Sequence, residues 1–339
     1  MTKVLVTGGL GYIGSHTVVE LQESGYETVV IDNLSNSSEE VLHNITKITG
    51  KEAHFIKGDI TDPDQLKQLF KAHTDIAGII HFAASKAVGE SVEKPLLYYR
   101  NNVHGLINLL EAMIAHDIPN LIFSSSCTVY GQAEELPISE ETPLKKAESP
   151  YGNSKKISEE IIEDTVNATG LEAISLRYFN PIGAHASVEI GEIPLGIPQN
   201  LVPFVTQTAA GIREKLFVFG GDYPTHDGTA IRDYLHVVDL AKAHVLAFNR
   251  LLEKKQLKSF EVFNLGTGKG SSVLEVIKTF ESVSGVQIKY DIVGRREGDV
   301  VAMYSDTTKA QKELGWKANL TLGAALDSAW KWEQKLRKI

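Results

Sequence analysis

The chain has 339 residues, of which 42% are apolar and 23% are charged, proportions typical of a globular protein with one large or two ordinary domains. Its net charge of −9, without a basic stripe, argues against nucleic-acid binding. The single cysteine, Cys127, excludes an internal disulfide and a cysteine-based zinc site, and the histidines lack metal-ligand spacing, so we expect no bound metal. No segment has the roughly 18 apolar residues of a membrane span, and the apolar run in MTKVLVTGG is too short for a signal sequence. We therefore expect a cytoplasmic protein with no membrane partner.

Short β-branched runs alternate with helical patterns through the first half of the chain. Predicted strands lie in KVLVTGG, ETVVIDN, EAHFIKGD, IAGIIHFAA, NLIFSSS and LEAISLRYFN. Predicted helices lie between them, in YIGSHTVVELQESG, in DPDQLKQLFKAH, over residues 95–116 and from Tyr151 onward. This alternation predicts an α/β protein with a Rossmann-type doubly wound parallel sheet, formed by residues 1–180.

The pattern changes after residue 180. NPIGAHASVEIGEIPLGIPQN is rich in glycine and proline and has no sustained period, but it is too apolar for a disordered linker, so we expect an ordered loop. Helices are predicted near 201–211, 237–253, 272–284 and 321–337, with short strands between them. Residues 181–339 are therefore predicted to form a second, smaller mixed α/β domain. Whether a strand near 261–266 returns to the main sheet is left open.

The segment TGGLGYIG joins the first predicted strand to the first predicted helix. Gly8, Gly11 and Gly14 form a G-x-x-G-x-x-G pattern, which permits a tight turn and a close approach of the backbone to a pyrophosphate. Asp32 ends the second strand 18 residues past Gly14, where its carboxylate can accept hydrogen bonds from ribose hydroxyls and repel a 2′-phosphate. No Lys or Arg follows until Lys47, so the sequence predicts NAD as the cofactor, not NADP.

Tyr151 and Lys155 stand four positions apart in SPYGNSKK. On a helix such residues share a face, with Cβ atoms about 5–6 Å apart. A free phenol has a pKa of about 10 and is a poor base near pH 7 unless a nearby cation stabilises the phenolate. The spacing alone is also compatible with an ordinary surface helix. Ser126 lies in SSSCTVYG, where the fifth strand ends, and because the carboxyl ends of parallel strands face the ligand crevice, we predict that Ser126 and Tyr151 meet there.

The combination of the glycine segment, a serine after the fifth strand and Y-x-x-x-K resembles the short-chain dehydrogenase/reductase superfamily. The long C-terminal part makes the chain similar to the extended, nucleotide-sugar branch, and within it to the epimerases that act at C4 of UDP-hexoses. The segments that carry this resemblance span nearly the whole chain: TGGLGYIGSH, DNLSNS, KAVGESVEKPLLYYRNN, FSSSCTVYG, PYGNSKK, LRYFNPIGAH, GIPQNLVPF, FGGDYPTHDGTAIRDYLHVVDLA, NLGTG and RREGD.

The resemblance implies an NAD-dependent isomerase that interconverts UDP-glucose and UDP-galactose, in galactose metabolism. Tyr151 would take the proton from the sugar 4-hydroxyl, Ser126 would hydrogen-bond that oxygen and relay the proton, and Lys155 would stabilise the phenolate. NAD would oxidise C4 transiently, and the 4-keto sugar would turn over before it is reduced on its other face. The family also implies a homodimer formed through helices 95–116 and 151–166.

The implied contacts fall into two sets. The residues matching the cofactor site are Gly8, Gly11, Tyr12, Ile13, Gly14, Asp32, Asn33, Asp59, Ile60, Phe82, Ala83, Lys86, Asn101, Tyr151, Lys155 and Phe179. The residues matching the substrate site are Ser126, Asn180, Asn200, Arg232, Tyr234, Arg296, Asp299 and Met303. Arg232 and Arg296 match a pyrophosphate clamp, for which arginine is chemically suited. Asp59, as a lone aspartate, is equally compatible with a helix cap.

Some positions depart from the family pattern, and more than one function stays compatible with the sequence. Ala84, Ser85, Cys127 and Phe217 differ in size from the residues that are common in the family, which puts substrate affinity in doubt but not the reaction. A 4,6-dehydratase shares the fold and cofactor, but it needs carboxylic groups where this chain has Cys127 and Thr128. The sequence also leaves open a UDP-N-acetylhexosamine 4-epimerase and a non-catalytic NAD-sensing regulator. Met303 matches the position that controls access beside C2 of the sugar.

Overall fold

A seven-stranded parallel sheet forms the centre of the molecule. The computed structural model describes residues 1–296 and 299–339. The strand order is β11-β6-β5-β4-β1-β2-β3, and every pairing in this sheet is parallel. These seven strands are β1 Lys3–Thr7, β2 Glu27–Asp32, β3 His54–Lys57, β4 Ile76–His81, β5 Asn120–Ser124, β6 Glu172–Tyr178 and β11 Phe260–Leu265. The Rossmann-type doubly wound sheet predicted from the sequence is thereby confirmed.

Alternate residues of each central strand enter two different cores, because successive side chains of a strand point to opposite faces. Val4 and Val6 pack on one face with Val18 and other apolar residues. Leu5, between them, packs on the other face with Leu66. All of these side chains are 0% exposed, so both faces of the sheet exclude water. This burial explains why the strands read as continuous apolar runs.

Helices cover both faces of this sheet. Helices α1, α2 and α9 supply residues to the first core, and helices α3, α6 and α7 supply residues to the second. The bounds are α1 Tyr12–Glu23, α2 Glu40–Thr49, α3 Pro63–Ala72, α4 Val88–Glu93, α5 Pro95–Tyr98, α6 Gly105–Ala115, α7 Pro150–Ala168, α8 Leu201–Ala209, α9 Val237–Leu252, α10 Val273–Ser284 and α11 Leu322–Arg337. The predicted helical segment 95–116 is helical from 95 to 115, but its middle, Tyr99–His104, is a π-helix.

A further core lies in the later part of the chain. Helices α8, α10 and α11 bury apolar residues there against short strands. These strands form two- and three-stranded sheets, ordered β10-β7, β12-β9-β14 and β13-β8. Their bounds are β7 Asn180–Ile182, β8 Leu216–Phe219, β9 Ile231–Arg232, β10 Tyr234–His236, β12 Ser271–Ser272, β13 Tyr290–Val293 and β14 Ala302–Met303. A smaller mixed α/β unit of this kind was expected from the sequence.

The chain returns to the main sheet after the first part of the second unit. Strand β11 pairs with β6 from Phe260↔Ala173 to Leu265↔Tyr178, which answers the question left open about residues 261–266. Helix α9 packs against α1 in the first core. The domain boundary at residue 180 remains a prediction.

The described ranges 1–296 and 299–339 contain neither a membrane-spanning helix nor a cluster of metal-ligating side chains. No helix within them combines the length and the apolar character needed to cross a bilayer. The same ranges contain no group of three or more His, Cys, Asp or Glu side chains arranged to hold a metal ion.

Candidate active site

The glycine segment forms a cradle between β1 and α1. Gly8 has a φ of +67°, a conformation that favours glycine, and a Cβ on it would lie 2.8 Å from the Ala83 backbone nitrogen. A Cβ on Gly14 would lie 2.2 Å from the Gly8 carbonyl oxygen, so the first turn of α1 can approach the loop only with glycine there. Gly11 caps α1 without a side-chain hydrogen bond, and the first turn carries no acidic residue. The helix N-terminus, at Tyr12 and Ile13, therefore presents its N–H donors and positive dipole end to an anion.

Asp32 links the glycine segment to the loop that follows β2. Its carboxylate is buried and accepts hydrogen bonds from the Leu10 N–H at 3.1 Å, the Leu34 N–H at 2.9 Å and the Ser37 hydroxyl at 2.8 Å. An aspartate at this point therefore orders the backbone on both sides of the place where a ribose would lie. Each carboxylate oxygen has more than one acceptor direction, so this role leaves room for ribose hydroxyls.

Asn33 and Asp59 meet at the same edge of the sheet. The Asn33 amide donates to the Asp59 carboxylate at 2.9 Å, and the same carboxylate accepts from the Thr61 N–H at 2.8 Å. The cap of α3 is Asp62, so the interpretation of Asp59 as the helix cap is wrong. Ile60, next to it, is buried in the second core.

Several predicted cofactor residues lie after β4 and near the ends of α5 and β6. The Phe82 ring lies 4.7 Å from the His244 ring, and the Ala83 N–H donates to the Thr7 hydroxyl at 3.3 Å. The Asn101 amide donates to Ser85 at 3.0 Å, and Phe179 is buried directly after β6. Phe82, Ala83 and Phe179 thus follow the carboxyl ends of β4 and β6, the two strands on either side of β5, where a crevice is expected.

Tyr151 and Lys155 lie on the buried face of α7. Ser149 caps this helix by accepting from the Gly152 N–H at 3.2 Å, and Pro150 occupies its first turn. Lys155 is 3% exposed, donates to the Ser124 carbonyl oxygen at 2.7 Å and lies 4.8 Å from the centre of the Phe123 ring. Burial lowers the pKa of the Lys155 ammonium to about 8, although the charge of Glu159 raises it.

Ser126 faces Tyr151 beyond the end of β5. Burial raises the pKa of the Tyr151 phenol above its ordinary value, whereas a hydrogen bond with Ser126 lowers it. The Ser126 hydroxyl oxygen accepts from the Thr128 N–H at 3.2 Å and from the Thr128 hydroxyl at 3.0 Å. A serine oxygen has two acceptor positions and one proton, so the Ser126 O–H is left to donate. The structure therefore brings together the three residues that the sequence predicted as catalytic.

Apart from Ser126, most of the predicted substrate residues lie on the short strands of the second unit or next to them. Met303 pairs with Arg232 between β14 and β9, and Tyr234 pairs with Asn180 between β10 and β7. Arg232 and Arg296 share one carboxylate oxygen of Asp299, at 3.3 Å and 2.8 Å. The two guanidinium groups thus lie on a single acid and are held close to each other. Arg295, which was not predicted to bind substrate, pairs instead with Asp222 at 2.8 Å.

Lys86 and Asn200 are both held by Glu192. The Lys86 ammonium lies 3.1 Å from the Glu192 carboxylate, and the Asn200 amide donates to the same oxygen at 3.3 Å. The sequence assigned Lys86 to the cofactor and Asn200 to the substrate, and Glu192 itself was not singled out. The glycine-rich loop that contains Glu192 therefore connects the two predicted contact sets.

Cys127 and the histidines considered as metal ligands have ordinary structural surroundings. Burial raises the pKa of the Cys127 thiol to about 12, which argues against a nucleophilic role. His81 is hydrogen-bonded to the Thr7 hydroxyl at 2.7 Å, and His236 caps α9 by accepting from the Val238 N–H at 3.1 Å. His226 lies 3.3 Å from the Glu275 carboxylate.

Known proteins resemble this chain over nearly its full length. The family model described as GDP-mannose 4,6 dehydratase matches residues 5–328. The UDP-glucose 4-epimerase of Mus musculus is 52% identical, with 99% of this chain and 97% of the mouse protein covered. That of Bacillus subtilis is 50% identical, with 97% and 96% covered. The chain belongs to the UDP-glucose 4-epimerase family.

Solved structures of this family have the same fold. The UDP-glucose 4-epimerase of Stenotrophomonas maltophila, with bound NAD and formylated UDP-arabinopyranose, has a TM-score of 0.96 at 45% identity and covers 100% of this chain and 99% of its own. The Bifidobacterium longum enzyme, in complex with NAD⁺ and UDP, has a TM-score of 0.93 at 47% identity and 98% coverage of both chains. The predicted family and its assignment to an isomerase are thereby confirmed.

The description of the matching family model brings back the question of a dehydratase. Where a dehydratase needs an acidic pair after the fifth strand, this chain has Cys127, with a thiol that is buried, and Thr128, whose hydroxyl donates to Ser126. Neither side chain can remove and deliver protons as a carboxylic group does. The epimerase family, not the dehydratase reaction, fits these residues.

Asp233 was missed by the sequence reasoning although it lies between two predicted substrate residues. Its side chain is 0% exposed and its carboxylate accepts from the Thr267 N–H at 2.8 Å, the Thr267 hydroxyl at 2.6 Å and the Ser305 hydroxyl at 2.6 Å. Its own N–H donates to the Met303 carbonyl at 3.1 Å, and its carbonyl accepts from the Asn180 N–H at 2.9 Å. Strand alternation in IRDY could have indicated it, because Asp233 must face away from its two neighbours.

Proposed function

We propose that the chain interconverts UDP-glucose and UDP-galactose by epimerisation at C4 of the sugar, with NAD as a cofactor that stays bound. The observation that carries this proposal is the convergence of Tyr151, Lys155 and Ser126 at the carboxyl end of β5, beside the glycine cradle. The family relatives are named for this activity. Bound NAD⁺ would supply reversible removal and return of hydride at C4.

The cradle fits a dinucleotide. Gly8 and Gly14 leave no room for a Cβ, α1 begins without a side-chain cap, and Asp32 is fixed at the end of β2. The glycine segment would hold the pyrophosphate and Asp32 the adenosine ribose, with the remaining predicted cofactor residues around them. Denaturing the purified protein should therefore release NAD(H) in near-stoichiometric amount, and a predominance of NADP(H) would contradict the role of Asp32.

The proton is moved by the chain itself. Ser126 has its O–H free to donate, and Tyr151 lies against it, so a proton can pass between the sugar 4-hydroxyl, Ser126 and Tyr151. Lys155 places a cation on the same face of α7, which favours the phenolate that must form. Burial of all three residues keeps water away and strengthens this electrostatic effect.

The nucleotide part of the substrate would be bound by the second unit. Arg232 and Arg296, aligned by Asp299, would hold the diphosphate, and Asn180, Asn200 and Tyr234 would contact the sugar and nucleotide. If the protein binds the substrate through its nucleotide part, the hexose stays free to turn, as the proposed reaction requires. The sequence likewise predicts that residues 1–180 bind NAD and that residues 181–339 bind most of the UDP-sugar.

The deciding experiment incubates the purified protein with UDP-galactose, without added NAD, and follows UDP-glucose formation. We expect conversion to proceed to the equilibrium mixture. A dehydratase would instead form a 4-keto-6-deoxy product, and a non-catalytic regulator would leave the substrate unchanged. The outcome therefore separates the three functions considered from the sequence.

A homodimer is part of the proposal. Ile107 and Ile114 are seven positions apart on α6, which places them on one helix face, and they are 36% and 46% exposed. Leu96, at the start of the same helical segment, is 75% exposed. A second copy would cover these side chains. Light scattering on the eluted protein should give twice the monomer mass, and Ile107→Glu with Ile114→Glu should reduce it. The cytoplasmic location remains a prediction from the sequence.

A further inference from the structure

A buried polar cluster lies directly behind the catalytic residues, and we call it the Glu159 cluster: Ser125, Tyr130, Glu159, Ser175 and Arg177. One carboxylate oxygen of Glu159 accepts from the Ser125 hydroxyl at 2.6 Å and from the Ser175 hydroxyl at 2.6 Å. Arg177 donates to both carboxylate oxygens, at 3.0 Å and 2.6 Å, and its remaining nitrogen donates to the Tyr130 hydroxyl at 2.9 Å. Each member is at most 6% exposed, so the cluster is a saturated network without water access.

Stability alone does not account for this cluster. Desolvating a carboxylate and a guanidinium is unfavourable by several kcal/mol, and well-packed apolar residues of similar volume are often as stable or more stable. A buried ionic network does, however, fix its members in one geometry because every alternative leaves a charge unpaired. Such a network can therefore also fix the position of a reacting group that is bonded to one of its members.

The backbone joins the Glu159 cluster to the residues proposed for proton transfer. Ser125 directly precedes Ser126, whose backbone is extended, with φ −156° and ψ 149°. Successive side chains of extended backbone point in opposite directions, so anchoring Ser125 on the Glu159 carboxylate aims Ser126 away from it, toward Tyr151. Glu159 also lies one helical turn after Lys155 and two after Tyr151 on α7, so one carboxylate connects the catalytic serine and the catalytic helix.

We propose that Ser125 and Glu159 are positioning residues for proton transfer, which hold the Ser126 hydroxyl in place between Tyr151 and the substrate. The inference rests on the proposed epimerase function. Ser125 contributes no atom to the reaction, and its hydroxyl proton is committed to Glu159. Losing this hydrogen bond frees the segment after β5 to shift, and displacements of about 1 Å in a catalytic group can reduce turnover by about 10²-fold.

Ser175→Ala is a matched control for Ser125→Ala. Both serines are 0% exposed and donate to the same Glu159 oxygen at the same distance, but Ser175 lies within β6 and, unlike Ser125, is not adjacent to Ser126 in the chain. We expect Ser125→Ala to reduce kcat for UDP-galactose by about 10- to 10²-fold, with unchanged KM and bound NAD. Ser175→Ala should keep kcat within a few-fold of the parent. Equal effects of the two substitutions, or an unchanged kcat in Ser125→Ala, would overturn the proposal.

A second matched pair tests the same idea if Ser125→Ala does not fold. Arg250 and Glu261 form another buried two-bond pair, at 2.7 Å and 3.0 Å, between α9 and β11 and outside the site. Glu159→Gln and Glu261→Gln each remove one carboxylate charge from such a pair. We expect both to lower the urea midpoint, but only Glu159→Gln to lower kcat per NAD-loaded molecule. A similar kcat in the two variants would show that the Glu159 cluster is structural only.

These outcomes can be told apart from a failure of the proposed function. An inactive parent protein that has bound NAD would contradict the epimerase proposal before any variant is compared. An active parent in which Ser125→Ala and Ser175→Ala behave alike would leave the epimerase function intact and reject the positioning role.

Discussion

Tyr151 lies in surroundings that oppose its own ionisation. It is 8% exposed, and burial raises the pKa of its phenol, with the nearby Tyr178 and Cys127 acting in the same direction. The Ser126 hydroxyl acts in the opposite direction and lowers this pKa. The proposed role of Tyr151 as a base near neutral pH therefore needs positive charge beside the ring, which Lys155 and an oxidised cofactor would supply.

Replacing Tyr151 by Phe tests this role. The change removes the proton-transfer group but keeps the ring that packs against Tyr98, 6.5 Å away between ring centres. We expect turnover to fall by roughly 10²- to 10⁴-fold, the usual scale for a lost acid–base group, while the fold and NAD content are kept. Steady-state kinetics with UDP-galactose as substrate would measure the change in turnover. Tyr26→Phe is the control. It also removes a phenol hydroxyl, one that donates to Asn249 outside the proposed site, and this variant should keep the turnover of the parent.

We predict that Met303 controls the breadth of accepted substrates. It is half-buried and packs against the cluster that contains Cys127 and Phe179, next to the catalytic serine. Methionine is flexible and can change rotamer, but it is larger than cysteine. The side chain can therefore move aside for an acetamido group at C2 only at some cost in binding.

We expect efficient epimerisation of UDP-glucose and UDP-galactose, with UDP-N-acetylhexosamines processed about 10- to 200-fold less well, the range for a small pocket mismatch. Met303→Cys should raise kcat/KM for the acetylated pair, and Met303→Tyr should lower it. Comparing kcat/KM for both pairs in the three proteins measures this. Equal rates on both pairs in the parent, or no response to either substitution, would exclude Met303 as the controlling residue.

At the scale of elements, helix α7 and the end of strand β5 carry the residues proposed for proton transfer, whereas the junction of β9 and β10 carries residues predicted to bind the substrate. Asp233 stands at this junction and ties it to the turn after β11 and to the segment after β14. Arg232 directly precedes it, and Tyr234 directly follows it. Their relative placement therefore depends on a carboxylate whose acceptor positions are occupied by the protein itself.

Asp233→Asn should destabilise the protein. The amide group would place two N–H donors against the donors of Thr267 and Ser305, so at least one buried hydrogen bond is lost. A buried unsatisfied polar group costs about 1–3 kcal/mol of unfolding free energy, which urea denaturation would measure. We also expect a raised KM for UDP-galactose. Asp227→Asn is the control, because Asp227 accepts similarly from Thr229 and Ser272, which are not predicted substrate residues. An equal rise in KM for both variants would contradict the role of Asp233.

At the scale of the whole molecule, four buried histidines make stability depend on pH. Burial is the main cause that lowers the pKa of His16 and His81 to about 3 and of His236 and His244 to about 4. The unfolded chain binds protons at these positions below about pH 6.5, but the folded chain does not until about pH 4. The unfolded state then holds more protons, so the unfolding free energy falls as the pH falls through this window.

We expect the urea midpoint to decrease between pH 7 and pH 5. Each histidine contributes up to about 1.4 kcal/mol per pH unit, since one unit of pKa shift corresponds to about 1.36 kcal/mol. Glu20 acts in the opposite direction, because burial raises its pKa to about 7 and the folded state then takes up a proton as the pH falls. His244→Gln should flatten the dependence, whereas His43→Gln, at an exposed position on α2, should leave it unchanged. A midpoint independent of pH would contradict the buried neutral histidines.

Local patterns in the sequence were sufficient for much of this molecule. The glycine spacing, the capped start of α3 at Asp62 and the four-residue interval from Tyr151 to Lys155 are set by backbone geometry over one turn, so neighbouring residues alone specify them. The apolar runs that became the central strands are equally local. Family membership and fold followed from these patterns and are confirmed, while the individual roles of the site residues remain predictions.

The remaining features depend on residues far apart in the sequence. Asp233 meets Thr267 and Ser305 across 34 and 72 positions, and Glu159 meets Ser125 across 34. Strand β11 joins β6 only after the chain has passed through the first part of the second unit. Periodicity carries no information on such contacts, because a buried carboxylate is specified by the donors that the tertiary fold brings to it. The sequence therefore determined which chemistry the chain contains, and the tertiary structure decided how its reacting groups are held.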